Sequence, residues 1–167
     1  MKLLEETLQD LQGQPSASFE VKLDGLAPGA QLGRRWIDQA AERLVAYKRI
    51  SRLREERDLE LYKLDLEDRF GHIPEDDSDT LRFFELLKVK LRAQLLGVSE
   101  VAVDKGQLKL RLSPQTPVDP AKLMVWVGRT KGASFSPDGT VRLPLLGTQD
   151  GPILQAQRVL AEWTALG

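Results

Sequence analysis

The residues best equipped for chemistry lie in the middle of the chain, and each cluster has a structural alternative. Asp68-Arg69-Phe70-Gly71 superficially matches the Asp-Phe-Gly element of a protein kinase. Arg69 interrupts it, and neither a phosphate-covering glycine loop nor a Val-Ala-Ile-Lys strand accompanies it. A helix end, with Phe70 turned inward and Gly71 turning the chain, explains the residues better. Glu75-Asp76-Asp77 with Asp79 is acidic enough to attract a cation, yet lacks the spaced ligands and closing glutamate of a calcium loop. Carboxylates gathered at the positive end of a helix dipole fit the run better. Lys48, Arg49, Arg52, Arg54 and Arg57 could touch phosphates, but they interleave with Glu55, Glu56, Asp58 and Glu60 at spacings that favour intrahelical ion pairs. Gly128, Gly132 and Gly139 flank a helix and a hairpin, not the strand-to-helix turn of a phosphate loop. Carboxylates are plentiful, but no pattern places two of them in opposed environments of one pocket.

Composition narrows the field further. The 167 residues contain no cysteine and one histidine, His72. Disulfides, thiol nucleophiles and Cys-based zinc sites are excluded, and multi-His metal sites go with them. No metal ligand, cofactor or catalytic residue is assigned. A net charge of −1 with 29% charged residues gives no global basic excess toward nucleic acid. No stretch approaches the roughly 20 apolar residues that span a bilayer, and the acidic, amphipathic N-terminus is unlike a secretory signal, so the expected location is the cytoplasm.

The elements that must position these residues follow from periodicity. Leu3, Leu4, Leu8 and Leu11 predict a short helix over 2–12, with Pro15 to Ser18 as a tether. Phe19 to Asp24 alternates like a half-buried strand. Residues 34–53 have a helical period, with Ile37, Ala40, Ala41, Leu44, Val45 and Tyr47 on one face and Ile50 and Leu53 continuing it for another turn. A second helix carries Leu59, Tyr62, Leu66 and Phe70 and ends at Gly71, a left-handed cap, before Pro74. Asp77, Ser78 or Asp79 caps a third helix over about 79–97, the candidate central core helix, with Leu81, Phe84, Leu87, Val89, Leu91, Leu95 and Leu96. Beyond Gly97, hairpins are expected around Asp104-Lys105-Gly106 and Pro137-Asp138-Gly139, with a helix from Asp119-Pro120 to Arg129 between them. A last helix, about 150–165, turns Ile153, Leu154, Val159, Leu160 and Trp163 inward. The expected class is α+β: a helix-rich N-terminal half packed with a small antiparallel sheet built from hairpins in the C-terminal half.

Arg43-Leu44-Val45-Ala46-Tyr47-Lys48-Arg49-Ile50, followed by Leu59 to Pro74 and then Leu95-Leu96-Gly97-Val98, resembles the C-terminal (TRCF) domain of bacterial transcription-repair coupling factors, the Mfd family. That family pairs an Arg-Leu-x-x-Tyr-Lys-Arg-Ile-like helix with Glu-Leu-x-Asp-Arg-Phe-Gly-x-Leu-Pro, then a long helix ending in Leu-Gly-Ile. Where the family often has an Ile-Pro-Asp/Glu element before the first helix, this chain has Leu26 to Leu32, and its final helix matches only in pattern.

The resemblance implies a role. Full-length members displace stalled RNA polymerase with an ATP-driven translocase and recruit the repair protein UvrA through a UvrB-like module. The C-terminal domain packs on that module within the same polypeptide and masks the UvrA-binding surface. On this reading, residues 1–18 are a lead-in helix and linker from the upstream translocase module, and 19–167 form a single regulatory domain. It is not an enzyme, it needs no cofactor, and it contacts neither nucleic acid nor membrane directly. By family analogy its partner-binding residues are Asp65 and Asp68, with the adjoining Glu67 and Arg69; UvrA and RNA polymerase are engaged only indirectly. The rival reading is a nucleic-acid-binding accessory domain of a DNA repair or helicase protein, built on Arg49, Arg52, Arg54 and Arg57.

Overall fold

The computed structural model describes residues 21–147 and 151–167, so the expected helix over 2–12 and the start of the first strand lie outside the described residues. Strand β1 (Lys22–Asp24) comes first, followed by helices α1 (Ala40–Ser51), α2 (Glu56–Phe70) and α3 (Ser78–Leu95). Strands β2 (Val98–Asp104) and β3 (Gln107–Leu112), helix α4 (Pro120–Arg129), strands β4 (Ser134–Phe135) and β5 (Thr140–Pro144), and helix α5 (Gly151–Thr164) complete it. The fold is α+β. Among the described residues no helix is long and apolar enough to cross a membrane.

The five strands form one sheet in the order β1-β2-β3-β5-β4. The hairpins are antiparallel, with Asp104 paired to Gln107 across the two-residue turn Lys105-Gly106, where both residues have positive φ. The sheet as a whole is mixed, not antiparallel as expected, because β1 runs parallel to β2 with Lys22 opposite Glu100 and Asp24 opposite Ala102. Three helices separate the two strands in sequence. A crossover of that length permits parallel pairing, and no local turn motif announces it.

Helix α3 holds the architecture together. Phe84, Leu87 and Leu91 lie on one side of it and pack with Trp36, Ile37, Ala46, Ile50, Leu59, Leu66 and Ile73. Val89, Ala93 and Leu96 lie on the opposite side and pack on the sheet with Leu108, Leu110, Val141, Leu160 and Trp163. At about 100° per residue those two sets fall on opposite faces, so one helix serves two apolar clusters. Leu81, expected inward, falls between the two faces, and Leu95, on the Phe84 side, stands in the last turn of the helix; both are exposed. Helix α5 is tied to α3 by Arg92, which donates to the Gln157 carbonyl at 3.1 Å, and by Gln157, which donates to Glu85 Oε2 at 2.8 Å. Buried Gln155 joins α5 to the end of β5, donating to the Pro144 carbonyl at 2.8 Å and accepting from the Leu146 amide at 3.2 Å.

Trp163 is fully buried and packs edge-to-face on Trp126 of α4, with ring centroids 5.4 Å apart. Leu154, expected on the same inward face, is exposed. Trp163→Ala is therefore expected to cost about 3–5 kcal/mol in urea denaturation, through lost burial and the cavity left behind. Leu154→Ala should stay within about 0.5 kcal/mol.

Candidate docking surface

The loop over residues 25–36 decides how α2 is presented. It carries little regular structure, yet Leu26, Leu32 and Trp36 are buried. The Trp36 indole N–H donates to the Gly71 carbonyl at 2.7 Å, the Leu32 amide to the Tyr47 hydroxyl at 2.8 Å, and the Gly33 amide to Thr80 Oγ1 at 2.8 Å. Thr80 in turn donates through its hydroxyl to Asp77 Oδ2 at 2.7 Å, while Asp77 Oδ1 accepts the Thr80 amide and caps α3. A Cβ at position 33 would collide with the Asp77 carboxylate, so only glycine allows the loop this close. Gly71 ends α2 at φ 85°, ψ 175°: φ is positive as expected, but ψ is extended rather than left-handed helical. Ile73 then turns into the core.

Within the acidic run, Asp77 is this buried cap, and Asp76 pairs with Arg35 at 2.9 Å. The hydrogen bond from Arg35 holds the Asp76 carboxyl below its usual range. No group of three or more His, Asp or Glu side chains among the described residues is placed to hold a metal ion. An apolar recess of about 720 Å³ lies between β3, α4 and the β4–β5 turn. Its one carboxylate, Asp138, is lowered chiefly by hydrogen bonding to Thr140.

Helix α2 buries Leu59 and Leu66 against Phe84 and Trp36, with Tyr62 and Phe70 half-buried beside them. The opposite side is a ridge of Leu61, Leu64, Asp65 and Asp68, at the i, i+3, i+4, i+7 positions of one helical stripe. Leu61 is 56% exposed and Leu64 62%. Asp65 and Asp68 are exposed, and neither makes an ion pair with another described residue. Glu67 and Arg69 are placed differently. Glu67 is half-buried, with Oε2 3.0 Å from His72 Nδ1. Arg69 reaches Glu42 of α1 at 3.5 Å and lies 5.1 Å over the Phe70 ring. The structure thus brings Asp65 and Asp68 together and ties Glu67 and Arg69 to the domain's own residues. Leu61 and Leu64 escaped the sequence reading; their signal was two leucines standing off the Leu59–Leu66 stripe.

The arginine cluster also departs from expectation. Two of the acids expected to pair within the helix turn instead to α3: Glu56 accepts from Arg92 at 2.9 Å and Glu60 from Lys88 at 3.3 Å. Burial alone would lower the Lys88 ammonium, but Glu85 and Glu60 outweigh it and raise its pKa. Arg49, exposed at the end of α1, lies 5.8 Å over the ring of Tyr62. Burial pushes the Tyr62 phenol up, against the opposing pull of Arg69 and Arg49. Helix α1 is shorter than expected: Ile50 faces inward as its periodicity predicts and Ala46 joins it, while Leu44 and Val45, expected on that face, are exposed.

A sequence model of the TRCF domain matches residues 27–123, the span from the pinned loop through α2 to the start of α4. The chain belongs to the TRCF domain family. The transcription-repair-coupling factor of Myxococcus xanthus is 30% identical over 165 residues, covering 96% of this chain and 13% of that protein. Its counterpart from Escherichia coli strain K12 is 28% identical over 159 residues, covering 95% of this chain and 12% of that protein. The TRCF chain thus spans only about an eighth of the length of these curated relatives. In fold it matches a crystal structure of the C-terminal domain of transcription-repair coupling factor, with a TM-score of 0.68 at 16% identity, over 89% of this chain and 98% of that one.

The ridge of this TRCF domain is positioned by the anchor at its end, and the two are separable. Trp36→Phe removes the hydrogen bond to Gly71 together with one ring of the buried indole, so it is expected to cost at least about 1–2 kcal/mol in stability. Asp65→Ala and Asp68→Ala should stay within about 0.5 kcal/mol in the same denaturation experiment.

Proposed function

We propose that this TRCF domain is a non-catalytic regulatory unit of a transcription-coupled DNA repair factor in the cytoplasm, docking through the α2 ridge onto the UvrB-like module of the same polypeptide. Docking covers the surface that recruits UvrA, and engagement of RNA polymerase elsewhere in the factor shifts the population toward the open arrangement. Residues 19–167 act as one unit, joined to the translocase module through residues 1–18.

The observation that carries this reading is the ridge: two carboxylates and two leucines exposed along one helical stripe, within the span that matches the family. Soluble surfaces scatter such leucines singly, so two beside unsatisfied charges suit a contact that is apolar at its centre and ionic at its edge. Arginines on the partner would meet Asp65 and Asp68 beside Leu61 and Leu64, so the ionic edge forms next to an apolar contact. Edge pairs of this kind set register and specificity, and each is weak enough to be released. Regulation requires that reversibility.

The test is a calorimetric titration of the TRCF chain against the UvrB-like module of its factor. Reversing both charges, Asp65→Arg with Asp68→Arg, should weaken binding by about 1–3 kcal/mol while thermal unfolding stays unchanged. Equal affinity of the two forms would remove the proposed contact.

A further inference from the structure

The ridge borders a groove of about 500 Å³ between the end of α1 and the outer side of α2. One wall carries Arg49, Arg52 and Arg54, the other carries Asp58 and Asp65, and Leu53 and Leu61 lie between them. Asp65 belongs to both groove and ridge, so anything seated on the ridge reaches the arginines as well. Resting on the docking reading above, we propose that the groove receives an acidic side chain of the same partner, making the interface two-signed: an arginine of the partner meets Asp65 and Asp68, and an aspartate or glutamate beside it meets Arg49 and Arg52.

The charge pattern selects this occupant over a polyanion. A nucleic-acid backbone entering the groove would meet Asp58 and Asp65 along with the arginines, and the like charges would repel it. A purely basic peptide would meet the arginine wall and be rejected in the same way. A protein segment with both signs satisfies both walls. Arg49, with its guanidinium carbon 5.8 Å from the centroid of the Tyr62 ring, is held at the groove, and an arginine offers a carboxylate two parallel N–H donors. Glu56, four residues beyond Arg52, turns away to Arg92. Arg52 is exposed at the C-terminal cap of α1, one turn beyond Arg49.

Three forms of the chain titrated against the UvrB-like module test the proposal: wild type, Arg49→Glu with Arg52→Glu, and the milder Arg49→Gln with Arg52→Gln. The expected losses are about a hundredfold for the reversal and about tenfold for the neutral pair, with circular dichroism unchanged. If Asp65→Arg with Asp68→Arg weakens binding but both arginine pairs match wild type, the two-signed interface is wrong and docking by the ridge stands. If no variant changes affinity, or wild type fails to bind the module, the docking reading itself fails and takes the groove with it. A parallel titration with a short DNA duplex covers the remaining occupant. Duplex binding abolished by the arginine reversal, with module affinity intact, would assign the groove to nucleic acid and overturn the proposal.

Discussion

The hydrogen bond from the Trp36 indole to the Gly71 carbonyl is the constraint on which the presentation of α2 depends. A helix leaves its last carbonyls without intrahelical partners, and here a buried side chain from a distant loop satisfies one of them. The same ring packs edge-to-face on Phe84, with centroids 5.9 Å apart, so the end of α2 is referenced to the central helix α3. With Leu59 and Leu66 held inward along the length of α2, its rotation is fixed, and the stripe of Leu61, Leu64, Asp65 and Asp68 must face solvent. The exposed acids are thus a consequence of what lies on the other side of the helix.

That arrangement divides polar side chains into two kinds. Asp77, Thr80 and Gln155 are buried and spend their hydrogen-bonding capacity on backbone amides, a carbonyl and each other. Such groups are costly to disturb, because a lost partner leaves a desolvated atom behind. Asp65 and Asp68 face water, where reversal costs the fold little. The proposed docking surface belongs to the second kind.

Much of this was legible in the sequence where local chemistry decides. Asp119-Pro120 opened α4 where expected, Asp104-Lys105-Gly106 turned the first hairpin, and Phe84, Leu87, Val89 and Leu91 marked α3 as the central helix. What escaped was set by distant partners. The fit of the 25–36 loop depends on Asp77, Thr80 and Gly71, far away in sequence. Helix α1 carries apolar residues all around, so periodicity found Ile50 but could not choose Ala46 over Leu44 and Val45. Glu56 and Glu60 had near neighbours within their own helix, yet the packing of α2 on α3 brought Arg92 and Lys88 closer. The carboxylates Asp65 and Asp68 came from resemblance; the leucines beside them became visible only once the buried face of α2 was known.

The most direct test of the central claim maps where a partner touches. Amide chemical shifts of the isotope-labelled chain would be followed while unlabelled UvrB-like module is added. Perturbations are expected to concentrate on residues 61–68 of α2 and residues 49–53 at the end of α1. Perturbations confined to the sheet around Lys109 and Arg142, with α2 unchanged, would contradict it.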